Sequence, residues 1–220
     1  PDSVEDRARL EAALRTETAP RPDGFLVTLR ALPFQQEILD KLQAERRIHG
    51  RRADIVVAAT GTGKTVIAAL DYARQLAGSG VAPRLLFLAH RYELLDQARR
   101  TFRYALQDAS FGELLVRGET PARWDHVFAS IQSAGELIER FGAAYFKHVV
   151  VDECHHLPAR SYQDIVPNLR PEILVGLTAT PERSDGKSLL PDFDGHIAAE
   201  LRLWQALDDA YTYGLLKARE

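Results

Sequence analysis

The sequence VVAATGTGKTVIAAL (residues 56–70) joins the pattern of a strand to that of a helix through a short turn. Its first residues are apolar and β-branched, as in a buried strand, and its last residues favour a helix. The turn matches the phosphate-loop pattern at Gly63, Lys64 and Thr65, whereas Ala58 stands where that pattern has its first glycine. The stretch therefore predicts a strand, a glycine-bearing turn and a helix in succession.

A turn of this kind directs backbone N–H groups and the positive end of the helix toward an anion. In that geometry Lys64 would reach the β and γ phosphates of a nucleotide, and the Thr65 hydroxyl would bind Mg²⁺. Taken alone, the stretch leaves open a plain glycine-bearing turn with a surface lysine.

Short apolar runs alternate with amphipathic runs along the rest of the chain. Strand patterns occupy residues 54–59, 84–89, 113–116, 126–130, 147–152, 172–178 and 196–203. Helical patterns occupy residues 34–48, 64–77, 92–106, 131–141 and 159–166. Because the strand patterns show little alternation and are linked by helices, they predict an α/β domain, a mostly parallel sheet with helices on both faces.

Composition limits the classes of protein that fit. The 220 residues are 45% hydrophobic, enough for a sizeable core, and the net charge of −3 lacks the basic excess of many nucleic-acid binders, so any nucleic-acid contact must be local. A single cysteine, Cys154, excludes an intramolecular disulfide framework and fits a reducing compartment. No run approaches the roughly 18 apolar residues of a membrane helix. We expect a cytoplasmic protein with no membrane partner.

A second chemical motif follows in HVVVDECHH (residues 148–156), where an apolar strand ends on Asp152 and Glu153. Asp152 can hold the Mg²⁺ that bridges the phosphates, and Glu153 can orient and deprotonate an attacking water. Two alternatives remain for this segment alone. The residues Cys154, His155 and His156 could form a metal site, although their spacing matches no zinc motif, or the strand could end in solvated charges.

Three segments of the chain resemble motifs of one protein family. AATGTGKT (58–65), VDECHH (151–156) and GLTATPER (176–183) occur in the order, and at about the spacing, of motifs I, II and III of superfamily 2 helicases and translocases of the DEAD/DEAH-box type. The resemblance is closest to the restriction-enzyme helicase-subunit branch, of the type III restriction kind. It implies a RecA-like P-loop NTPase fold that uses ATP and Mg²⁺.

Three further segments extend the resemblance. LPFQQEIL (32–39) resembles the glutamine motif, FLAHRYELLDQA (87–98) resembles motif Ia, and VFASIQSAGEL (127–137) is similar to the segment that contacts nucleic acid before motif II. Together the six segments predict three parts of the chain: an N-terminal helix and linker at 1–28, a RecA-like lobe at 29–203, and a connector helix at 204–220.

The resemblance implies a role for each matching residue. Gln35 would read the adenine edge, with a plain helix-surface glutamine as the alternative. The nucleotide-binding loop would comprise Thr60, Gly61, Thr62, Gly63, Lys64 and Thr65. Thr65 and Asp152 would hold Mg²⁺, and the catalytic set would be Glu153, Asp152, Lys64 and His155. Thr178 and Thr180 would couple hydrolysis to movement. Contacts with nucleic-acid phosphates would come from His90, Arg91, Gln132 and Arg183, for which ordinary surface or strand-end roles remain alternatives.

The expected partners are nucleic acid, DNA more than RNA, a second RecA-like lobe and further domains. Since a second lobe supplies arginines to the γ-phosphate in this family, we expect this lobe alone to be a weak ATPase or inactive. Two other functions stay open: a P-loop ATPase switch without nucleic acid, and an inactive scaffold, which the intact motifs disfavour. The basic segment RRIHGRR (46–52) could touch a phosphate backbone or form a solvated helix end.

Overall fold

The computed structural model describes residues 28–116, 118–156, 165–180, 186 and 188–201. Four predicted features lie largely or wholly outside these residues: the N-terminal segment 1–28, the helical pattern at 159–166, Arg183, and the connector at 204–220.

Within the described residues, seven strands form one sheet in which every strand pair is parallel. The strands are β1 (Ala53–Ala58), β2 (Leu85–Ala89), β3 (Glu113–Leu115), β4 (His126–Ser130), β5 (His148–Val151), β6 (Ile173–Thr178) and β7 (Ile197–Leu201). Their order across the sheet is β3-β4-β2-β5-β6-β1-β7. The predicted parallel sheet is confirmed, and the pattern at 196–203 forms its last strand beside β1.

Helices cover both faces of this sheet, as the sequence predicts. They are α1 (Pro33–His49), α2 (Lys64–Ser79), α3 (Tyr92–Leu106) and α4 (Ala134–Phe141). On one face Leu42 of α1, Tyr72 of α2 and Phe102 of α3 share a buried apolar cluster. On the other face Leu137 of α4 and Phe193 belong to a second cluster. None of the helices in the described segments is long and apolar enough to cross a membrane.

The carboxyl ends of the strands meet at one edge of the sheet, because all pairs are parallel. The loops after β1, β2, β4, β5 and β6 at this edge carry the segments that resemble helicase motifs. We call it the carboxyl edge. Strands β1 and β5, which precede the phosphate loop and the Asp-Glu pair, are separated by β6. The third motif therefore lies between the first two.

The basic segment 46–52 lies at the opposite, amino edge, where it forms the last residues of α1 and the turn to β1. It does not face the loops of the carboxyl edge, and two of its arginines are engaged within the protein. Arg46 is buried against two aspartates, and Arg51 pairs with Glu45. This placement disfavours a phosphate-backbone contact beside the motifs.

Candidate nucleotide and nucleic-acid site

The phosphate loop runs from the end of β1 to Lys64, the first residue of α2. Gly61 and Gly63 have φ values of +87° and +81°, a region that favours glycine. At Gly63 a side chain would also lack space, because a Cβ there would lie 2.6 Å from Nε2 of Gln35. The Thr62 hydroxyl donates a hydrogen bond of 2.7 Å to the Ala59 carbonyl. The loop is thus shaped by local bonds and by close approach of α1.

Lys64 is buried at the start of α2, with only 7% of its surface exposed. Its Nζ donates to the Ala58 carbonyl at 3.1 Å and lies 3.7 Å from Oε1 of Glu153. The surface-lysine alternative is therefore wrong. The ammonium instead supplies a buried positive charge between the phosphate loop and the end of β5.

The two carboxylates after β5 differ in environment. Asp152 is 4% exposed, and its burial, reinforced by the charge of Glu153, raises its pKa to about 6, although Lys64 and the Glu153 N–H favour the charged form. Glu153 is partly exposed, and its backbone N–H donates to Oδ1 of Asp152 at 3.0 Å. The solvated-strand-end alternative fails for Asp152 because that side chain is buried. One carboxylate is enclosed, and the other has access to solvent.

A chain of polar contacts connects Glu153 to the end of β6. Oε2 of Glu153 lies 3.4 Å from Nδ1 of His155, and this nitrogen lies 2.9 Å from the Thr178 hydroxyl. The Thr178 hydroxyl donates its one proton to the Thr180 carbonyl at 2.6 Å. It can then only accept from His155, so this network assigns the Nδ1–H tautomer to that histidine. Motifs II and III are in direct contact.

Gln35 is buried in the first turn of α1, 4% exposed, so the helix-surface alternative is wrong. Its Oε1 accepts from the Leu32 N–H at 3.0 Å, and its Nε2 donates to the Thr62 carbonyl at 2.9 Å. These two main-chain groups fix which end of the amide is oxygen. The neighbouring Gln36 is exposed and bonds to Asp40 of its own helix. A role of Gln35 toward adenine stays a prediction.

Magnesium fits the donor atoms near the phosphate loop. Thr65 offers a hydroxyl in the first turn of α2, and Asp152 offers a carboxylate at the end of β5, both oxygen ligands of the kind that Mg²⁺ prefers. The cysteine-histidine alternative has no support. Burial raises the pKa of the Cys154 thiol to about 12, which disfavours a thiolate ligand. Among the described residues, no three His, Cys, Asp or Glu side chains are grouped to hold a metal.

The predicted nucleic-acid contacts follow two neighbouring strands. His90 and Arg91 come directly after β2, and Gln132 lies in the 3-10 turn (131–133) after β4. The side chains of Arg91 and Gln132 are exposed, whereas His90 is partly buried. These three residues occupy the half of the carboxyl edge away from β1 and the phosphate loop. Arg183 lies outside the described residues.

The sequence patterns missed the main-chain acceptors of the site and a buried polar group behind it. The carbonyls of Ala58 and Thr62 receive Lys64 and Gln35, but every residue has a carbonyl, so no sequence signal exists. The buried polar group consists of Arg46 and its partners Asp54 and Asp71. Its signal was an aspartate inside the apolar run of β1, which demands a charged partner.

A parallel sheet whose carboxyl edge gathers a phosphate loop and an Asp-Glu pair on non-adjacent strands defines a RecA-like P-loop NTPase domain. The chain belongs to the family described as type III restriction enzyme, res subunit, which matches residues 28–183. The resemblance to the N-terminal lobe of superfamily 2 helicases in the restriction-enzyme branch is thereby confirmed.

Individual relatives agree with this assignment. Over 175 residues the chain is 31% identical to the "Putative mitochondrial ATP-dependent helicase irc3" of Schizosaccharomyces pombe. The aligned segment covers 76% of this chain and 28% of the relative. The UvsW helicase from bacteriophage T4 has the same fold, with a TM-score of 0.61, 18% identity, and coverage of 88% of this chain and 67% of that one.

A restriction enzyme also shares the fold. The type ISP restriction-modification enzyme LlaGI, in a nuclease-deletion mutant in complex with a DNA substrate mimic, gives a TM-score of 0.63 at 18% identity, covering 83% of this chain and 20% of that one. The chain thus spans 28% of the curated relative and 20% of the restriction enzyme.

Proposed function

We propose that this chain is the ATP-binding lobe of a helicase or translocase that couples Mg-ATP hydrolysis to movement on DNA, within a restriction or defence enzyme. The observation that carries the proposal is the convergence of Lys64, Asp152 and Glu153 at one edge of the sheet, with a distance of 3.7 Å between the Lys64 ammonium and the Glu153 carboxylate. A fixed positive charge for the phosphates, a carboxylate for the metal and a carboxylate for the attacking water are what phosphoryl transfer requires.

Each residue has a definite task in this reaction. The N–H groups of the loop and the Lys64 ammonium would bind the β and γ phosphates. Thr65 and Asp152 would hold Mg²⁺, which supplies neutralising charge to the phosphate oxygens. Glu153 would take a proton from the attacking water as its oxygen bonds to the γ-phosphorus and the bond to the β,γ-bridging oxygen breaks. The products are ADP and inorganic phosphate.

His155 would sense this step, because it contacts both Glu153 and Thr178. A change in the charge or position of the Glu153 carboxylate alters the acceptor next to the His155 Nδ1–H, and His155 bonds directly to the hydroxyl at the end of β6. Thr178 passes the change to the Thr180 main chain. We assign coupling to this path.

DNA is the proposed track. His90, Arg91 and Gln132 lie on the half of the carboxyl edge next to the nucleotide half, and Arg183 is proposed to join them. Similarity to an enzyme described in complex with a DNA substrate mimic supports DNA rather than RNA. The net charge of −3 agrees with local phosphate contacts.

The proposed lobe spans residues 29–203, with segment 1–28 before it and a connector at 204–220 leading to a second lobe. That lobe would supply the arginines for the γ-phosphate. Because such an arginine raises the hydrolysis rate by about 10³ to 10⁵, the lobe at residues 29–203 alone would hydrolyse ATP slowly or not at all. We place the protein in the cytoplasm.

ATP turnover by the full-length protein tests the proposal. It is measured without nucleic acid and then with single-stranded DNA, duplex DNA and RNA in turn, with Glu153→Gln as the blank. We expect stimulation by DNA that is lost in the variant. Turnover that no nucleic acid changes would support a P-loop ATPase switch and overturn the roles of His90, Arg91 and Gln132.

A further inference from the structure

Four buried polar side chains meet between the sheet and its helices, toward the amino edge and away from the motifs. Arg46 of α1 donates from Nη1 to Oδ1 of Asp71 at 2.7 Å and from Nε to Oδ2 of Asp54 at 3.3 Å. Nε2 of His148 lies 4.0 Å from Oδ2 of Asp71, and its ring packs edge-on against Tyr72 at 5.3 Å. We call Arg46, Asp54, Asp71 and His148 the anchor cluster.

The anchor cluster is almost wholly removed from solvent. The side chains of Asp54 and Asp71 are 0% and 1% exposed, and that of Arg46 is 10% exposed. Five of its atoms have no hydrogen-bond partner within the described part of the chain: Nη2 of Arg46, Oδ1 of Asp54, Oδ2 of Asp71 and both ring nitrogens of His148. One arginine faces two carboxylates. Apolar residues of similar volume would stabilise the fold as much or more, so stability alone does not account for the cluster.

Every member of the anchor cluster lies on an element that carries a nucleotide-site residue toward the carboxyl edge. Arg46 shares α1 with Gln35, eleven residues or about 16 Å along the helix. Asp54 and Asp71 lie on β1 and α2, the two elements that flank the phosphate loop. His148 begins β5, the strand that leads to Asp152.

We propose that Arg46 is a positioning residue for the nucleotide site, which fixes α1 against β1 and α2 and thereby sets Gln35 against the phosphate loop. This inference rests on the proposed function, since it concerns Mg-ATP binding at that site. The double contact is suited to the task, because a planar guanidinium bonded to two carboxylates on different elements defines an angle as well as a distance. The orientation of α1 is transmitted to the phosphate loop through the hydrogen bond from Gln35 to the Thr62 carbonyl.

A matched control joins the same two helices. Arg74 of α2 donates to Asp40 of α1 at 2.9 Å, but these side chains are 27% and 59% exposed. An exposed pair of this kind contributes little and does not fix a helix angle. The comparison of Arg46→Met with Arg74→Met therefore separates the buried grip from the mere presence of an ion pair between α1 and α2.

The test measures Mg-ATP affinity, kcat and thermal unfolding of the full-length protein. We expect Arg46→Met to raise the Kd for Mg-ATP about tenfold, with kcat at saturating ATP within about twofold of wild type, and Arg74→Met to change neither by more than about twofold. If Arg46→Met lowers the unfolding midpoint but leaves the Kd unchanged, the cluster is structural only and the proposal is overturned.

The triple variant R46M/D54N/D71N covers the case in which Arg46→Met alone does not fold, because it leaves no buried charge without a partner. We expect its Kd to remain raised, and wild-type affinity in this variant would overturn the proposal. A variant combining Gln35→Ala with Arg46→Met tests the route through Gln35. The double variant should have a Kd only slightly above that of the single variant that binds Mg-ATP less tightly. A fold-increase in Kd equal to the product of the two single increases would overturn that route. Failure of the wild type to bind Mg-ATP at all would instead overturn the proposed function, and this inference with it.

Discussion

Glu153 has a φ of +49°, a left-handed conformation that is uncommon for a residue with a side chain. Its carboxylate lies between the Lys64 ammonium at 3.7 Å and the His155 ring at 3.4 Å. Strain of this kind persists only where surrounding contacts fix it, and it concentrates at functional sites. The backbone at the end of β5 is thus bent to present one carboxylate to two partners.

At the same scale, Gly63→Ala should weaken the phosphate loop more than Gly61→Ala. Both positions have positive φ, but only at Gly63 would the new Cβ meet a neighbour, Nε2 of Gln35 at 2.6 Å. Gln35 must then move and its bond to the Thr62 carbonyl breaks, a further loss of about 1 kcal/mol. Thermal unfolding measures the loss of stability, and titration with Mg-ATP measures the loss of affinity. Equal losses in both variants would show that φ alone imposes the glycine.

Sequence patterns located the charged residues of the site better than their partners. Lys64, Asp152 and Glu153 were predictable because each sits at a fixed place in a strand-turn pattern. The burial of Gln35 was not predictable, since its neighbour Gln36 has the same side chain and faces solvent. What separates the two glutamines is the packing of α1 against a loop 27 positions away, which no local pattern records.

At the scale of elements, β6 packs its backbone closely against a buried ring. A Cβ on Gly176 would lie 2.6 Å from Cζ of Phe193. Gly176→Ala should therefore destabilise the protein by about 1 to 3 kcal/mol, as overpacked cores do. Chemical denaturation measures this change. Gly135→Ala in α4, where a Cβ would meet no atom within 4 Å, is the control and should leave stability equal or slightly higher. An unchanged midpoint in Gly176→Ala would contradict the packing described.

The anchor cluster joins four elements, and two of its members should respond oppositely to pH. Burial raises the pKa of Asp54 from 3.8 to about 6, so the folded protein holds this proton more tightly and stability rises as pH falls from 7 to 5. Burial lowers the pKa of His148 from 6.5 to about 4, so the unfolded chain takes up this proton first and stability falls as pH falls from 6.5 to 4. Glu45 and Arg46 of α1 and Asp71 of α2 are the charged groups acting on these two.

Single substitutions separate the two effects. Relative to wild type, Asp54→Asn should lose more stability between pH 7 and pH 5, because it lacks the contribution of Asp54 and keeps the penalty of His148. His148→Gln should become more stable relative to wild type over the same range, because it lacks the penalty of His148 and keeps the contribution of Asp54. Urea unfolding at several pH values measures both. Parallel curves for the two variants and wild type would contradict the burial of these groups.

Element boundaries followed the sequence closely where propensity and packing agree. The pattern at 92–106 and α3 coincide, and the strand pattern at 126–130 coincides with β4. The pattern at 131–141 instead divides into a 3-10 turn at 131–133 and α4. A hydrogen bond of 2.9 Å between the hydroxyls of Ser130 and Ser133 spans this turn.

At the scale of the whole molecule, the carboxyl edge divides into two halves with different chemistry. Strands β5, β6 and β1 present the Asp-Glu pair, Thr178 and the phosphate loop, whereas β2 and β4 present Arg91 and Gln132. Strand β2 lies next to β5 in the sheet, so the two halves are contiguous. We propose that a change at the nucleotide half reaches the other half through these directly paired strands.

We propose that ATP hydrolysis at Glu153 drives movement on DNA, and displacement of streptavidin by the moving protein tests this coupling. Full-length protein and Mg-ATP are added to biotinylated single-stranded and duplex DNA blocked at either end by streptavidin. We expect ATP-dependent release of streptavidin from at least one of these substrates by the wild type, and none by Glu153→Gln. Steady ATP turnover by the wild type, with streptavidin retained on every substrate, would contradict it.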